Sequence, residues 1–377
     1  MEIPDLPRHV LSIVSTLWRC GPTSVLEGIV RGYDPATYRA TVATLSPNPG
    51  DSALDDFRSF GIQVEDMKLS RPASFLVGPR LLSDLIHALK IDLVHCHAFR
   101  ATILFSRCRS NVASIATVHS DLLTDYQMLY GKTIGAWMAR REYAALHKFD
   151  RVVAVSETAA EAARSRGLRC EVIPNGIDLN TYYPPAVPLE KVLLRQRLRL
   201  PLEGTVVLHS GSLSNRKRPV EVISGFLGSR LSENGVLLIA GEGPLRRRCE
   251  QAADGAKNII FLGKRQDIPD LLRASDVLIS NSLTEGLPMA LLEGCACGTR
   301  VIASDIPPHR HIRDLFAQQV YIYSGHGPQA VAAALDANNT KEDATMLQPP
   351  PESLDAISAS RMSREYQRLY DDLSARD

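Results

Sequence analysis

The segment 275–305 constrains the fold of this chain more than any other part of the sequence. It begins with the short apolar run Val277–Ser280, which is typical of a buried strand. A polar loop follows, and Pro288 stands where a helix takes its first residue. The helix is predicted to run up to Gly298, which suits the left-handed position that ends a helix. A second apolar run, residues 300–304, completes a unit of strand, loop, helix and strand, which indicates a parallel α/β sheet.

Two glutamates lie on the loop and the helix of this unit. Glu285 precedes the helix, and Glu293 lies inside it, eight residues later. In a parallel sheet the loop and the helix N-terminus lie at the carboxyl edge, where such sheets bind ligands and free amides attract a phosphate. Since a carboxylate accepts hydrogen bonds from paired hydroxyls, the pattern suits a sugar or ribose beside a phosphate. The alternative is that Glu285 is a solvated loop residue and Glu293 a surface residue of the helix.

The composition is that of an ordinary globular protein with free thiols. With 377 residues, 45% of them hydrophobic and 23% charged, the chain is long enough for two domains. Its net charge of +1 gives no general attraction to nucleic acid, and we expect no nucleic-acid partner. The first residues lack the pattern of a signal peptide, and the apolar runs are too short to span a membrane. Seven scattered cysteines, with Cys295 and Cys297 facing different directions on one helix, favour a reducing cytoplasm over a metal site.

Strands alternate with helical stretches in both halves of the chain, which predicts parallel sheets covered by helices on both faces. The proline-rich stretch 182–188 separates the halves, and residues 358–373 form a closing helix. We therefore predict an α/β chain of two doubly wound, Rossmann-like domains that face each other across a cleft. The predicted domains are residues 1–186 and 187–355, and residues 356–377 form the closing segment.

A longer pattern runs from Glu285 to Asp305: Glu-Gly-Leu-Pro, a second glutamate after seven intervening residues, Ala-Cys-Gly-Thr, and Val-Ile-Ala-Ser-Asp. This order resembles the nucleotide-sugar signature of the GT-B glycosyltransferases, specifically the retaining family 4. The closing helix, with Tyr366 and Tyr370, resembles the family segment that crosses back to the first domain. Other landmarks of the family stand in the expected order: Asp92–His97, Thr117–His119, Val155–Ser156, Pro174–Asp178 and Gly241–Leu245.

The resemblance implies transfer of a sugar from a nucleotide-diphosphate donor, with retention at the anomeric carbon and without a bound metal or other cofactor. It also implies that domain 1–186 binds the acceptor, that domain 187–355 binds the donor, and that residues 356–377 pack back on the first domain. Breaking the donor bond develops charge on the diphosphate, so cations must lie beside it. Lys217 aligns with the family's phosphate-binding lysine, and Lys217 and Glu285 are the catalytic candidates of the second domain.

The loop after the first strand of the second domain departs from the family pattern. The family has Gly-Arg directly after this strand, whereas this chain has Ser212 in place of the arginine. Ser212 can donate one hydrogen bond but carries no charge. Arg216 and Arg218 are the candidate substitutes, because arginine suits bidentate contact with phosphate. The alternative is that residues 216–218 form a solvated basic loop.

The resemblance assigns roles to further residues of the donor site. Glu285 corresponds to the glutamate that contacts hydroxyls of the transferred sugar, and Glu293 to the one that holds the ribose hydroxyls. Arg265 lies where the family reads the base, and a surface arginine is the equal alternative. The remaining donor-binding candidates match the family at turns and main-chain contacts: Gly21, Gly243, Gly286, Leu287 and Pro288.

Two histidines of the first domain are candidates for the reacting centre. His119, at a strand end, resembles the family's catalytic histidine, which can hydrogen-bond a sugar hydroxyl and relieve developing charge. His97 is the candidate acceptor-binding residue. Each has a structural alternative, a satisfied histidine at the end of a strand. With His95 the two could suggest a metal site, but no acidic partner stands at ligand spacing, so no metal site is predicted.

The reaction implied by the family moves a hexose or N-acetylhexosamine to a glycan or lipid-linked acceptor in polysaccharide biosynthesis. A UDP-sugar donor is favoured over GDP-mannose on family frequency. Two alternatives stay open. A GT-B nucleotide-sugar 2-epimerase needs additional acid or base carboxylates in the first domain, and a non-catalytic GT-B partner subunit is consistent with the loss of charge at Ser212.

The segment 132–148 suggests peripheral contact with the inner face of the membrane. It combines Trp137, Met138 and Tyr143 with four basic residues, and such a helix can lie at an anionic bilayer surface. The alternative is that Trp137 and Tyr143 are core residues of an ordinary amphipathic helix. The sequence predicts no oligomeric state.

Overall fold

The computed structural model describes residues 7–338 and 347–374. The chain forms two compact units. Unit 1 consists of Met1–Gly176 together with Ile357–Asp377, and unit 2 consists of Ile177–Ala356. The first division therefore lies earlier in the chain than the boundary expected from the proline-rich stretch.

Unit 1 alternates parallel strands with helices. In chain order its first elements are β1 (Arg8–Val14), α1 (Gly21–Arg31), β2 (Tyr38–Thr44), α2 (Leu54–Ser59), β3 (Gln63–Asp66), α3 (Arg71–Leu89), β4 (Leu93–His97), α4 (Ala98–Phe105), β5 (Ala113–Val118), α5 (Leu122–Tyr130), α6 (Lys132–Leu146), β6 (Arg151–Ala154), α7 (Glu157–Arg164) and β7 (Glu171–Val172). The seven strands form one parallel sheet in the order β3-β2-β1-β4-β5-β6-β7. The central strands are buried on both faces, because helices cover the sheet on each side.

Unit 2 repeats this plan with a second sheet. Its elements are α8 (Pro188–Leu198), β8 (Val206–Ser210), α9 (Pro219–Leu227), a 3-10 turn (Arg230–Glu233), β9 (Val236–Ala240), α10 (Arg246–Ala253), β10 (Ile259–Gly263), α11 (Ile268–Ala274), β11 (Val277–Ser280), α12 (Met289–Ala296), β12 (Arg300–Ser304), α13 (Pro307–Leu315), β13 (Val320–Tyr323), α14 (Pro328–Ala337) and α15 (Pro351–Ala356). The six strands are parallel, in the order β10-β9-β8-β11-β12-β13. The prediction of two Rossmann-like parallel sheets is confirmed.

The last helix, α16 (Ala359–Ser374), belongs to unit 1 and packs on α1. The hydroxyl of Ser363 donates a hydrogen bond of 2.7 Å to the main-chain oxygen of Ile29. The Tyr366 and Tyr370 side chains are completely buried. A chain segment that follows all of unit 2 therefore fills part of the core of unit 1.

The strand, loop, helix and strand unit forms with the predicted strands β11 and β12. Gly298 has a φ of +72°, as expected of a left-handed residue after a helix. The position predicted for Pro288 is wrong by one residue, because α12 begins at Met289. Pro288 has an extended backbone with ψ of 106°, and its oxygen accepts hydrogen bonds from the amides of Leu291 and Leu292. Proline thus caps the helix from outside rather than forming its first residue.

The loops that follow β8 and β9 pack main chain against main chain. A Cβ atom at Gly241 would lie 1.8 Å from the main-chain oxygen of Gly211, and one at Gly243 would lie 2.5 Å from that of Leu213. Only glycine allows this approach. Gly243 therefore holds the loop after β8, which carries Ser212 and Lys217, against the neighbouring loop of the sheet edge.

Candidate functional site

The carboxyl edge of the unit 2 sheet brings together three of the predicted donor-site residues. Arg216 and Lys217 lie in the loop after β8, and Glu285 lies in the loop after β11. A guanidinium nitrogen of Arg216 is 2.6 Å from one oxygen of the Glu285 carboxylate, and the ammonium of Lys217 is 2.5 Å from the other. We call these three residues the ion-pair cluster.

Main-chain contacts fix the ion-pair cluster. The Arg216 guanidinium also donates to the main-chain oxygen of Thr284 at 3.3 Å, and the amide of Leu283 donates to the oxygen of Arg216 at 2.9 Å. The two loops are therefore tied by side-chain and main-chain bonds at the same point. The cations are held in place before any anion arrives, which is the arrangement that stabilises developing negative charge.

Glu285 is buried, with a relative exposure of 6%. Burial raises the pKa of Glu285, but the charges of Lys217 and Arg216 and hydrogen bonds from Lys217 and Ser282 outweigh it and hold the pKa at about 2. Glu285 is therefore ionised at neutral pH. The alternative of a solvated loop carboxylate is wrong, because the side chain is buried and paired with two cations.

Other predicted donor-site residues have partners elsewhere in unit 2. Arg218 directly precedes α9, has a left-handed backbone with φ of +50° and pairs with Glu221 at 3.2 Å. The Ser212 hydroxyl lies 3.2 Å from that of Ser214. Arg265 forms two bonds of 2.7 and 2.5 Å to the Asp267 carboxylate. The structure therefore places Arg216 with Lys217 and Glu285, and holds Arg218 and Arg265 in separate pairs.

Glu293 lies on α12 and is half-buried. Burial raises its pKa to about 7, and a hydrogen bond with Tyr182 and the charge of Lys217 oppose this rise only in part. Three buried residues lie between the two glutamates in the chain and lead into the helix: Gly286, Leu287 and Pro288. The charge of Lys217 thus acts on Glu293 as well as on Glu285.

The sequence interpretation missed two histidines and a serine in unit 2. His209 and His309 are fully buried; burial lowers the pKa of each to about 4, and the charge of Lys217 lowers it further. The hydroxyl of Ser282 hydrogen-bonds to Glu285. No motif signals these residues, because each stands alone in its strand, helix or loop.

Unit 1 brings the three predicted histidines into one row. The His95 and His97 rings lie 4.1 Å apart between centroids, and Nδ1 of His97 is 3.3 Å from Nε2 of His119. Burial lowers the pKa of His119 to about 4 and that of His97 well below its ordinary value, so both are neutral at pH 7. Gly21, the predicted donor-binding glycine of this unit, is the first residue of α1 and is not part of the histidine row. Among the described residues, no three histidine, cysteine or acidic side chains form a group that could hold a metal ion.

Tyrosines of α16 complete the row of histidines. Nδ1 of His95 is 2.9 Å from the Tyr370 hydroxyl, and Nε2 is 2.7 Å from the hydroxyl of Thr117. The Thr117 hydroxyl is in turn 3.0 Å from that of Tyr366. His95 is therefore a satisfied core histidine that positions His97, whereas Nε2 of the buried His97 has no hydrogen-bond partner within the described part of the chain.

Helix α6 has both an exposed and a buried aromatic residue. Trp137 is 58% exposed, with the Arg141 guanidinium 5.8 Å from its ring, whereas Tyr143 is buried. The core alternative is thus correct for Tyr143 and wrong for Trp137. Further large apolar side chains are exposed on α3, α5 and α6: Phe75, Leu76, Val77, Leu81, Met128, Leu129, Tyr130 and Ile134. Within residues 7–338 and 347–374, no helix has the length and apolar character needed to cross a bilayer.

Two family models match the chain. The family described as Glycosyl transferases group 1 matches residues 191–344, and Glycosyltransferase Family 4 matches residues 21–181. The first match falls in unit 2 and the second spans most of unit 1. Together they cover every strand of the two sheets except β1.

Curated relatives are similar over part of the chain. A UDP-Gal:alpha-D-GlcNAc-diphosphoundecaprenol alpha-1,3-galactosyltransferase of Escherichia coli is 28% identical over 273 residues, which cover 67% of each chain. A GDP-mannose-dependent alpha-(1-6)-phosphatidylinositol dimannoside mannosyltransferase of Mycobacterium tuberculosis is 33% identical over 162 residues, which cover 41% of each. The chain spans about two thirds or less of the length of the curated relatives that it matches.

Solved structures share the fold over nearly the whole chain. HepE from Anabaena, in complex with UDP and glucose, has a TM-score of 0.78 at 18% identity, covering 97% of this chain and 100% of its own. Sucrose-phosphate synthase from Thermosynechococcus elongatus has a TM-score of 0.81 at 18% identity, covering 98% and 100%. With the two family matches, these findings identify the family: the chain belongs to the GT-B glycosyltransferases of the family 4 type.

Proposed function

We propose that the chain transfers a hexose or N-acetylhexosamine from a nucleotide-diphosphate sugar to a glycan or lipid-linked acceptor in polysaccharide biosynthesis. The reaction retains the anomeric configuration and needs no metal ion. A UDP-sugar is the proposed donor, in preference to GDP-mannose. The enzyme acts in the cytoplasm, at the inner face of the membrane.

The ion-pair cluster is the observation that carries this proposal. A departing diphosphate needs positive charge placed in advance, and Arg216 and Lys217 supply two cations at the sheet edge where such folds bind nucleotides. These cations can do the work that a bound metal does in other phosphate sites. Glu285 orients both of them and keeps lone pairs that can accept from sugar hydroxyls.

Other residues take the roles that the family resemblance implies. Glu293 accepts hydrogen bonds from the ribose hydroxyls, and the amides at the start of α12 face the diphosphate. In unit 1, neutral His119 hydrogen-bonds a hydroxyl near the reacting carbon, and His97 holds both His119 and the acceptor. One relative has UDP-Gal in its name and one fold neighbour was solved with UDP, and both support a UDP-sugar as the donor. The mannosyltransferase relatives support GDP-mannose instead.

Arg216 is the proposed substitute for the missing charge at Ser212. It lies on the Glu285 carboxylate beside Lys217, whereas Arg218 pairs with Glu221. An arginine four residues further along the same loop therefore brings the charge back to the ion-pair cluster. This supports an active enzyme over a non-catalytic subunit.

The exposed apolar side chains of α3, α5 and α6 support a lipid-linked acceptor. Trp137 and Ile134 stand on the same helix as Lys132, Arg140 and Arg141, and basic residues beside apolar ones favour an anionic bilayer surface. The names of two relatives include an undecaprenol-linked substrate. We therefore propose that unit 1 contacts the membrane where the acceptor is anchored.

A donor panel tests the proposal. The purified protein is assayed for nucleotide release from UDP-glucose, UDP-galactose, UDP-N-acetylglucosamine and GDP-mannose, with and without a chelator. We expect release from at least one UDP-sugar, unchanged by the chelator, and an α-linked product from an α-linked donor by NMR. Isomerised UDP-sugar would indicate the epimerase, and absence of both binding and turnover would indicate a non-catalytic subunit.

Two variants tie the activity to the site. Lys217→Ala should lower turnover on the order of a hundredfold or more, because it removes a cation placed at the diphosphate. Arg218→Ala is the matched control in the same loop, and its turnover should stay within a few-fold of the wild type. If folded Lys217→Ala turns over at the wild-type rate, Lys217 does not contribute to the reaction.

A further inference from the structure

Two arginines are buried in the described part of the chain, and they differ in their partners. Arg195, in unit 2, is 6% exposed and forms an ion pair of 2.6 Å with the Asp276 carboxylate. Arg100, on α4 of unit 1, is 8% exposed and has no ion pair with any described carboxylate. Its two terminal nitrogens each lie 2.9 Å from the Ser46 hydroxyl, and its Nε has no partner there. Because buried charges in proteins are normally paired, the Arg100 guanidinium lacks a counter-ion.

The Arg100 side chain lies at the carboxyl edge of the unit 1 sheet. Arg100 is in the first turn of α4, directly after β4, whereas Ser46 lies in the loop after β2. Strand β1 lies between β2 and β4, so the side chain reaches across the carboxyl end of β1. The direction of the strand order reverses between β1 and β4, and open α/β sheets bind ligands at such a point. Arg100 therefore stands where this sheet is expected to bind a ligand.

A second arginine acts on Arg100. Burial, and then the charge of Arg71, lower the pKa of Arg100, and no carboxylate raises it again. Arg71 is exposed and is the first residue of α3, which follows β3. It has no ion-pair partner within residues 7–338 and 347–374. Since arginine stays charged in proteins, two positive charges act on each other here without a compensating carboxylate.

Solvent reaches this pair of arginines. Arg71 is exposed, Ser46 is half-buried, and a fraction of the Arg100 surface remains accessible. The Ser46 hydroxyl donates to the main-chain oxygen of Leu69 at 3.0 Å, so its lone pairs are left to hold the Arg100 guanidinium. The planar fork of arginine matches the oxygens of a phosphate, and phosphate is therefore the anion that suits these side chains.

The helix that Arg71 begins also exposes apolar side chains. Their exposed fractions range from 37% for Phe75 to 84% for Leu76, with Val77 and Leu81 between them. Phe75 lies four residues after Arg71, so the two share one face of α3. A ligand that joins a phosphate to an apolar chain would use both features of this surface, whereas a free phosphate would use only the arginines.

We propose that Arg100 and Arg71 bind the phosphate of a lipid-linked acceptor whose apolar chain lies along the exposed side of α3. The inference rests on the proposed function, because it names the acceptor of that reaction as a lipid phosphate or diphosphate. The histidine row follows β4 and β5 at the same edge of the sheet. An acceptor held by its phosphate thus keeps its sugar near the proposed reacting centre.

Titration calorimetry with farnesyl diphosphate, farnesol and inorganic diphosphate tests this site. Arg100→Met and Arg71→Gln each remove one positive charge. Arg80→Gln is the matched control, because Arg80 is an exposed arginine of the same helix that lies 4.0 Å from Asp84. Thermal unfolding without ligand checks the fold of each variant.

We expect Arg100→Met and Arg71→Gln each to weaken binding of farnesyl diphosphate about tenfold, because each removes charged hydrogen bonds to phosphate. Affinity for farnesol should change less than twofold, and Arg80→Gln should bind like the wild type. Inorganic diphosphate should bind the wild type more weakly than farnesyl diphosphate does. Since Arg100 is a buried charge without a counter-ion, Arg100→Met should unfold at no lower temperature than the wild type.

An affinity for farnesyl diphosphate within twofold of the wild type in both arginine variants would overturn the inference, as would an equal loss in Arg80→Gln. A loss of the same size in Lys217→Ala would show that the diphosphate binds at the donor site instead. If Arg100→Met does not fold, Arg71→Gln and its control decide alone.

Vesicles that contain phosphatidylglycerol distinguish an acceptor phosphate from the headgroups of the bilayer. If both arginine variants lose co-sedimentation but keep their affinity for farnesyl diphosphate, the arginines bind headgroups and the inference is wrong. The donor panel on the wild type reports on the proposed function separately. Nucleotide release without any binding of farnesyl diphosphate would refute the inference alone, whereas no release from any donor would refute the proposed function.

Discussion

Replacing Glu285 by glutamine tests how much the ion-pair cluster stabilises unit 2. Burial raises the pKa of Glu285, but the neighbouring cations hold it at about 2, against an ordinary value of 4.5. A difference of about 2.5 pKa units corresponds to roughly 3 kcal/mol. We expect Glu285→Gln to lower the free energy of unfolding by that order at pH 7, which agrees with the cost of about 3–5 kcal/mol for removing one partner of a buried ion pair.

The effect should depend on pH, because the lowered pKa means that the carboxylate stabilises the fold only while it is ionised. This stabilisation is fully present above the ordinary value of 4.5 and is lost as the pH falls toward 2. The difference in stability between the wild type and Glu285→Gln should therefore fall from roughly 3 kcal/mol at pH 7 to about half of that at about pH 3.

Urea unfolding at both pH values measures this difference. Glu221→Gln is the matched control, because it removes the partly exposed partner of Arg218 in the adjacent helix and should cost less than about 1 kcal/mol. A loss in Glu285→Gln no larger than that of the control would refute the reasoning. So would a loss that is equal at both pH values, because it would not come from ionisation.

Three further predictions concern donor binding and the membrane. Arg216→Ala should weaken nucleotide-sugar binding about tenfold, whereas Arg218→Ala and Ser212→Arg should change it little. Equal losses of affinity in the two arginine variants, measured by calorimetry, would contradict the proposal that Arg216 replaces the charge missing at Ser212. Because burial raises the pKa of Glu293 to about 7, its ionisation should strengthen donor binding as the pH rises through that value, and Glu293→Gln should flatten this dependence. Trp137→Ser should reduce co-sedimentation with anionic vesicles at low salt, and no binding of the wild type at low salt would contradict the membrane proposal.

The sequence was informative where a local pattern decides the structure. The apolar runs of β11 and β12 and the positive φ of Gly298 follow from short-range periodicity and glycine chemistry, and they were predicted correctly. The placement of Glu285 and Lys217 on one sheet edge follows from parallel topology alone. Because topology fixes which loops meet, the sequence alone predicts that motif residues on those loops lie close together.

Other features depend on details that no periodicity encodes. Arg216 and not Arg218 contacts Glu285, because the left-handed backbone of Arg218 at the start of α9 directs it to Glu221. Trp137 is exposed although Tyr143 on the same helix is buried, since the packing of α5 and α4 decides which side of α6 is covered. His209 and His309 hydrogen-bond to main-chain oxygens outside their own strand or helix, which no local pattern indicates.

The position of α16 sets an order of assembly during synthesis. Unit 2 lies between Gly176 and Ile357 in the chain, so the ribosome releases all of its strands before Tyr366 and Tyr370 emerge. Domains generally fold from the N-terminus during synthesis, but here the earlier unit has to wait for the later segment. Until α16 arrives, His95 lacks the contact with the Tyr370 hydroxyl, and the region that Tyr366 and Tyr370 fill remains open to water. The histidine row of unit 1 therefore gains the tyrosine contacts of α16 only after unit 2 has been synthesised.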